Sequence, residues 1–63
     1  MIRVIDWYDG YEDSLGAVKT CEEAISLMNQ RIEDTDGECD LQCQDIYGFD
    51  ITDLVWLKKF KAD

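Results

Sequence analysis

The chain has 63 residues, with 15 Asp or Glu against 6 Lys or Arg, a formal net charge of −9 and no histidine. A chain this short forms a single compact domain over residues 1–63 and buries only about 60% of the surface its unfolded form exposes, which leaves no bulk for a deep cleft, a dinucleotide fold or a barrel. With histidine absent, the commonest general base and metal ligand is missing, so the composition favours a binding protein over an enzyme.

Met1 to Tyr8 is rich in β-branched and aromatic residues and reads as a strand that stops at the turn signal Asp9-Gly10. Alternation points Ile2 and Val4 one way, with Asp6 in line behind them, and Arg3, Ile5 and Trp7 the other. Asp9 to Ser14 reads as an acidic loop. Leu15 to Lys19 fits either an extended piece beside the first strand or an early helical turn; Gly16 costs about 1 kcal/mol inside a helix, which favours the extended form.

Thr20-Cys21-Glu22-Glu23 is a capping box, in which the Thr20 hydroxyl accepts the Glu23 amide and the Glu23 carboxylate returns to the Thr20 amide. Downstream, Cys21, Ala24, Ile25, Met28 and Ile32 recur at spacings of three and four, with Leu27 beside them. This predicts an amphipathic helix to about Glu33, ended by the turn around Gly37. Cys39, Leu41 and Cys43 then alternate with Asp40, Gln42 and Gln44, the period of a half-buried strand, and Ile46-Tyr47 breaks that alternation as a bulge would.

After a turn at Gly48-Phe49-Asp50, the segment Leu54 to Phe60 reads as a last strand. As a helix its apolar residues would spread around the whole circumference, whereas a central strand can be apolar on both faces. The expected fold is α+β: one helix packed on a small, mostly antiparallel sheet of three to four strands, in β(β)αββ order. The expected core is Ile2, Val4, Ala24, Ile25, Met28, Ile32, Leu41, Leu54, Trp56 and Phe60.

Several chemistries fail on spacing. Cys21, Cys39 and Cys43 give three thiols and no histidine, short of the four ligands of structural zinc, and read as small packing residues. Their low, odd number fits a cytoplasmic protein better than a secreted disulfide framework. Asp34 to Asp40 is dense in oxygens, but a calcium loop begun at Asp34 places its glycine at position 4 and Asp45 at position 12, out of register. Serine and cysteine have no histidine to activate them, and paired carboxylates have no cleft to flank. No catalytic residue, metal ligand or cofactor is expected. Asp6 interrupts the first apolar run, so the start does not read as a signal peptide, and no stretch approaches the roughly 20 apolar residues of a membrane span.

What remains is the acid array. Residues 4–57 hold 14 acids against two bases, Lys19 and Arg31, a net of −12, before Lys58, Lys59 and Lys61 close the chain. Such a field repels nucleic acid and anionic membranes and attracts basic protein surfaces. The candidate partner-binding residues are Asp6, Asp9, Glu12, Asp13, Glu33, Asp34, Asp36, Glu38, Asp40 and Asp45, with Tyr8 and Tyr11 as amphipathic anchors. Trp7 and Tyr47 read equally well as anchors or as partly buried structural aromatics. Duplex DNA carries one charge per about 1.7 Å of axis, and carboxylates two apart on a strand or four apart on a helix stand about 5–7 Å from one another, so a dense array can meet side chains built to grip phosphates.

In size, acidity and lack of histidine, carried by the acids from Asp6 to Asp53, the chain resembles the phage-encoded inhibitors of bacterial defence, among them anti-CRISPR proteins that mimic DNA. The resemblance covers the whole chain and rests on no motif. It implies an inhibitor in the bacterial host cytoplasm that occupies the basic nucleic-acid-binding surface of a CRISPR effector such as Cascade or Cas9 and blocks target DNA. It implies no direct contact with nucleic acid or membrane. The terminal lysines depart from a uniformly acidic mimic and suggest that one end faces away from the partner. The alternative is a protein–protein adaptor using an exposed sheet edge or aromatic patch, alone or as a homodimer.

Overall fold

A computed structural model describes residues 1–61. Strand β1 (Ile2–Asp6) lies at the centre of a three-stranded antiparallel sheet, between β2 (Asp13–Val18) and β3 (Leu41–Gln44). A 3₁₀ turn (Tyr8–Gly10) joins β1 to β2, helix α1 (Cys21–Thr35) joins β2 to β3, and a short helix α2 (Thr52–Trp56) follows β3. The architecture is α+β, with α1 over one face of the sheet.

β1 takes the central place because it is apolar on both faces. Ile2 and Val4 point at α1 and meet Cys21, Ala24 and Met28, with Cys43 of β3 and Ile51 and Val55 completing the core. Ile5 faces the other way and is equally buried. On that outer face the Trp7 indole N–H donates to Gln42 Oε1 at 2.8 Å, the Gln44 amide donates to the same oxygen at 2.9 Å, and Arg3 reaches Gln44 at 3.4 Å. Gln42 pairs directly with Ile5, so polar side chains stand in for a second layer.

The bulge lies between β1 and β2, not at Ile46-Tyr47. Val4 pairs with Gly16 and Ile5 with Ser14, which leaves Leu15 as the extra residue. Gly16 adopts φ 148° there, a backbone that side-chain-bearing residues rarely take. β2 also starts two residues inside the segment expected to be loop, at Asp13.

Helix α1 begins as the sequence predicts, with the Thr20 hydroxyl accepting the Glu23 amide at 3.1 Å. The other half of the box differs: the Glu23 carboxylate accepts the Thr20 hydroxyl at 3.0 Å rather than the Thr20 amide. The helix runs to Thr35, two residues beyond expectation, and closes when Asp36 turns left-handed at φ 53° and the Gly37 N–H donates to Ile32 O at 2.9 Å. Ile32, expected in the core, is exposed, and Ile25, Leu41 and Phe60 pack only at its margin.

The last element is a helix, against the strand expected over residues 54–60. The place of a fourth strand is taken by backbone that folds onto the β3 edge: the Ile51 N–H donates to Cys43 O at 2.8 Å and the Cys43 N–H donates to Thr52 Oγ1 at 3.0 Å. The Asp50 carboxylate accepts both the amide and hydroxyl of Thr52, at 3.0 and 2.5 Å, and so starts the turn. Ile51 and Val55, four apart, go inward, while Leu54, Trp56 and Leu57 remain exposed. Accordingly, Val55→Ala is expected to lower stability by about 2 kcal/mol in denaturant unfolding, and Leu54→Ser to change it by no more than about 0.5 kcal/mol; equal losses would mean that this segment packs as a strand.

Candidate functional site

The sheet register sorts the acids. Asp6 pairs with Asp13 and Leu41 at one end of the sheet, and Ile2 with Val18 and Arg3 with Gln44 at the other. The turn after β1, the end of α1 and the entry to β3 therefore converge on the Asp6 end, and nine acids lie there: Asp6, Asp9, Glu12, Asp13, Glu33, Asp34, Asp36, Glu38 and Asp40. Asp45, the tenth predicted partner-binding acid, lies at the opposite end, beyond β3. Tyr8 and Tyr11 are both exposed at the acidic end.

At the centre stands Arg31, which sequence reasoning did not place in the site. The Asp6 side chain is 2% exposed and its Oδ2 accepts Arg31 Nε–H at 2.8 Å. Its Oδ1 accepts the backbone N–H of Tyr8 at 2.9 Å and of Asp40 at 3.0 Å. Arg31 then reaches Asp13 Oδ2 through Nη2 at 2.6 Å. Burial works against the charged carboxylate of Asp6, but the amides of Asp40 and Tyr8 and the Arg31 guanidinium outweigh it and hold the carboxyl below its ordinary range. Asp6, and then Asp13, in turn keep the guanidinium firmly charged.

An open groove of about 640 Å³ surrounds this pair. Seven of the residues expected to bind a partner line it (Asp6, Tyr8, Asp9, Tyr11, Glu12, Asp13 and Glu38), together with Arg31 and Thr35. They are not all equally free. The Asp6 carboxylate is consumed inside the protein, Asp13 is tied to Arg31, and Glu12 meets Arg3 at 3.3 Å. The remaining acids of this end make no ion pair among the described residues.

Three of them stand beside the negative pole of a helix. Glu33, Asp34 and Asp36 occupy the end of α1, with no basic residue in the last turn, so they face the negative pole of the helix. Of these, Asp34 gains a hydrogen bond from Gln30 at 2.9 Å.

Elsewhere, two acids brace the loop between β3 and α2. Asp45 Oδ1 accepts the amides of Tyr47 and Phe49 at 2.9 and 3.0 Å, and the hydroxyl and amide of Thr52 hold the Asp50 carboxyl below its ordinary range. Among the described residues no group of three or more His, Cys, Asp or Glu side chains is placed to hold a metal ion, and no helix is long and apolar enough to cross a membrane. The Cys43 thiol is pushed up to about 11 by burial and then by Asp50 and Cys21, while Cys39 is half-buried. No protein-family model matches the chain, and no curated protein or solved structure matches it.

Two measurements check this geometry. Because the folded Asp6 carboxyl titrates below its unfolded value of about 3.9, its contribution is present above that pH and lost as pH falls through the folded value. In Arg31→Met the carboxyl keeps its burial and two amides but loses its counter-ion, so the acid-unfolding midpoint moves to higher pH and stability at neutral pH falls; an unmoved midpoint would contradict the pairing. In the folded protein a thiol reagent is expected to modify Cys39 first and Cys43 only on unfolding, and equal rates would place Cys43 outside the core.

Proposed function

We propose that this protein is a non-catalytic inhibitor whose acidic end occupies the basic nucleic-acid-binding surface of another protein by charge mimicry and so blocks access to target DNA. The observation that carries this reading is the set of acids at the end of α1. Glu33, Asp34 and Asp36 oppose the helix dipole, yet the chain places no cation in that turn. Cations at Glu33 and Asp34 would suit the helix end better, and acids kept there against the dipole point to binding rather than stability. With Asp9, Glu38 and Asp40 they form an array at one end, beside two exposed tyrosines. Lys and Arg side chains that grip phosphates find carboxylates at comparable spacing there, and the tyrosine rings offer faces for guanidinium groups. On the resemblance in size and charge drawn above, the partner is a bacterial defence protein such as a CRISPR effector, met in the host cytoplasm.

One observation favours a second reading, an adaptor that binds through aromatic contact and strand addition. Tyr11 is 78% exposed and β2 is an edge strand. The two readings part on salt. Charge mimicry gives fast association and an affinity that falls by about tenfold or more between low and physiological salt, whereas the adaptor holds at high salt and fails when Tyr8 or Tyr11 is truncated.

The test is capture from bacterial lysate at low and high salt, followed by affinity measurement on the captured protein. The triple reversal Asp34→Lys, Asp36→Lys and Glu38→Lys is expected to weaken binding at least tenfold. It should remain folded, because the lysine at position 34 suits the helix end and offsets the strain of a lysine in the left-handed cap at position 36. A captured partner that duplex DNA does not displace, or that binds the triple variant as tightly, would refute the proposal.

A further inference from the structure

We propose that the end of the molecule opposite the acidic groove is a self-association surface and that its occupant is a second copy of this chain. The inference stands on its own observations and does not depend on the groove's function. The loop between β3 and α2 is built rather than loose. Besides the two amide bonds to its carboxylate, Asp45 donates its N–H to Phe49 O at 3.1 Å and accepts the Gly48 N–H at 3.1 Å, with Gly48 at φ 87°. This frame holds Ile46, Tyr47 and Phe49 outward, at 69%, 79% and 69% exposure. Leu54 and Leu57 of the adjoining α2 segment are exposed as well. Backbone fixed in advance by such a loop loses little freedom on docking.

Size and charge select the occupant. A large apolar residue offers about 150–250 Å², so these five side chains present roughly 600 Å² per copy, or about 1,200 Å² when two copies meet, the lower bound for a specific stable interface. The acidic end carries nine carboxylates around Arg31, but this end sets Glu22, Glu23, Asp45 and Asp50 against Lys19 and, where the Cys21 thiol donates to the Phe60 carbonyl, against Lys58, Lys59 and Lys61. A surface that carries both signs is self-complementary across a two-fold axis, where the lysines of one copy meet the acids of the other. A strongly basic partner would gain nothing from it. Self-repulsion of two acidic chains is also least in this arrangement: α1, at 15 residues, holds the two ends of the molecule about 22 Å apart. Contact at the apolar ends therefore leaves the acidic ends about 40 Å apart, several Debye lengths.

Sedimentation equilibrium over about 10 μM to 1 mM protein tests the proposal, with the full chain, the Tyr47→Ser/Phe49→Ser double variant and the Asp36→Lys/Glu38→Lys double variant. Expected are a monomer–dimer equilibrium within that range, at least a tenfold weaker one for Tyr47→Ser/Phe49→Ser, and a dimer retained in Asp36→Lys/Glu38→Lys. Because Tyr47 and Phe49 are exposed, the first variant should keep its helical circular dichroism. A wild-type chain that stays monomeric throughout overturns the proposal. So does a dimer indifferent to the loop substitutions, or one abolished by the Asp36→Lys/Glu38→Lys pair.

Discussion

The Asp6 carboxylate is withdrawn from water and still ionised, because every direction from which water would have approached it is taken by a donor. Two backbone amides, from Tyr8 and Asp40, and the Arg31 guanidinium share its two oxygens. Those four residues belong to β1, the turn that follows it, the entry to β3 and helix α1, and Arg31 adds β2 through Asp13. A single buried charge thereby ties five segments together. In a protein of 63 residues, whose apolar core is small, such a pair does more for uniqueness than for net stability, since desolvation offsets much of its Coulomb energy. Without it the acidic turns would have no common anchor and every reason to separate.

From that anchor follows the polarity of the molecule. The strand register carries Asp9, Glu12 and Asp13 to the same end as the last turn of α1 and the approach to β3, so acids scattered through the sequence become neighbours. The opposite end receives the built loop at Asp45 and, through the contact of the Phe60 carbonyl with Cys21, the lysines of the last segment. Mutual repulsion and the opposed helix dipole make the acidic end a standing cost to the fold. The central strand and α1 absorb that cost by burying Ile2, Val4, Ile5, Ala24 and Met28 completely.

Much of this was legible in the residues, and the failures share a cause. The capping box at Thr20, the helical stripe through Ala24 and Met28, and the alternation of Leu41 and Cys43 each depend on neighbours in sequence, and α1 and β3 formed there, with α1 running on to Thr35 and β3 starting at Leu41 rather than Cys39. Arg31 stands three residues after Met28 and seven after Ala24, on the same inward stripe, and Asp6 stands in line behind Ile2 and Val4. The two inward charges could have been matched on that ground, but a charge on an apolar face looks like a break in the pattern until its partner is in view. The last element failed for a tertiary reason. Leu54 to Leu57 is apolar at almost every position, so its period is silent, and the choice was made by Cys43, whose backbone groups bond to Ile51 and Thr52 and close the sheet edge. Ile5 shows the same limit, since no local pattern shows that Gln42, Gln44 and Trp7 form a polar network on its face of the sheet.

The proposed charge mimicry requires that basic side chains be received at the end organised by Asp6 and Arg31 and not elsewhere on this acidic surface. Amide chemical shifts of the isotope-labelled protein, followed while an arginine-rich peptide is added at low salt, test this residue by residue. Changes are expected to concentrate at Asp9, Tyr11, Glu12, Asp36 and Glu38 and to reverse with added salt. Changes spread evenly along the chain, or centred on Ile46 to Phe49, would contradict it.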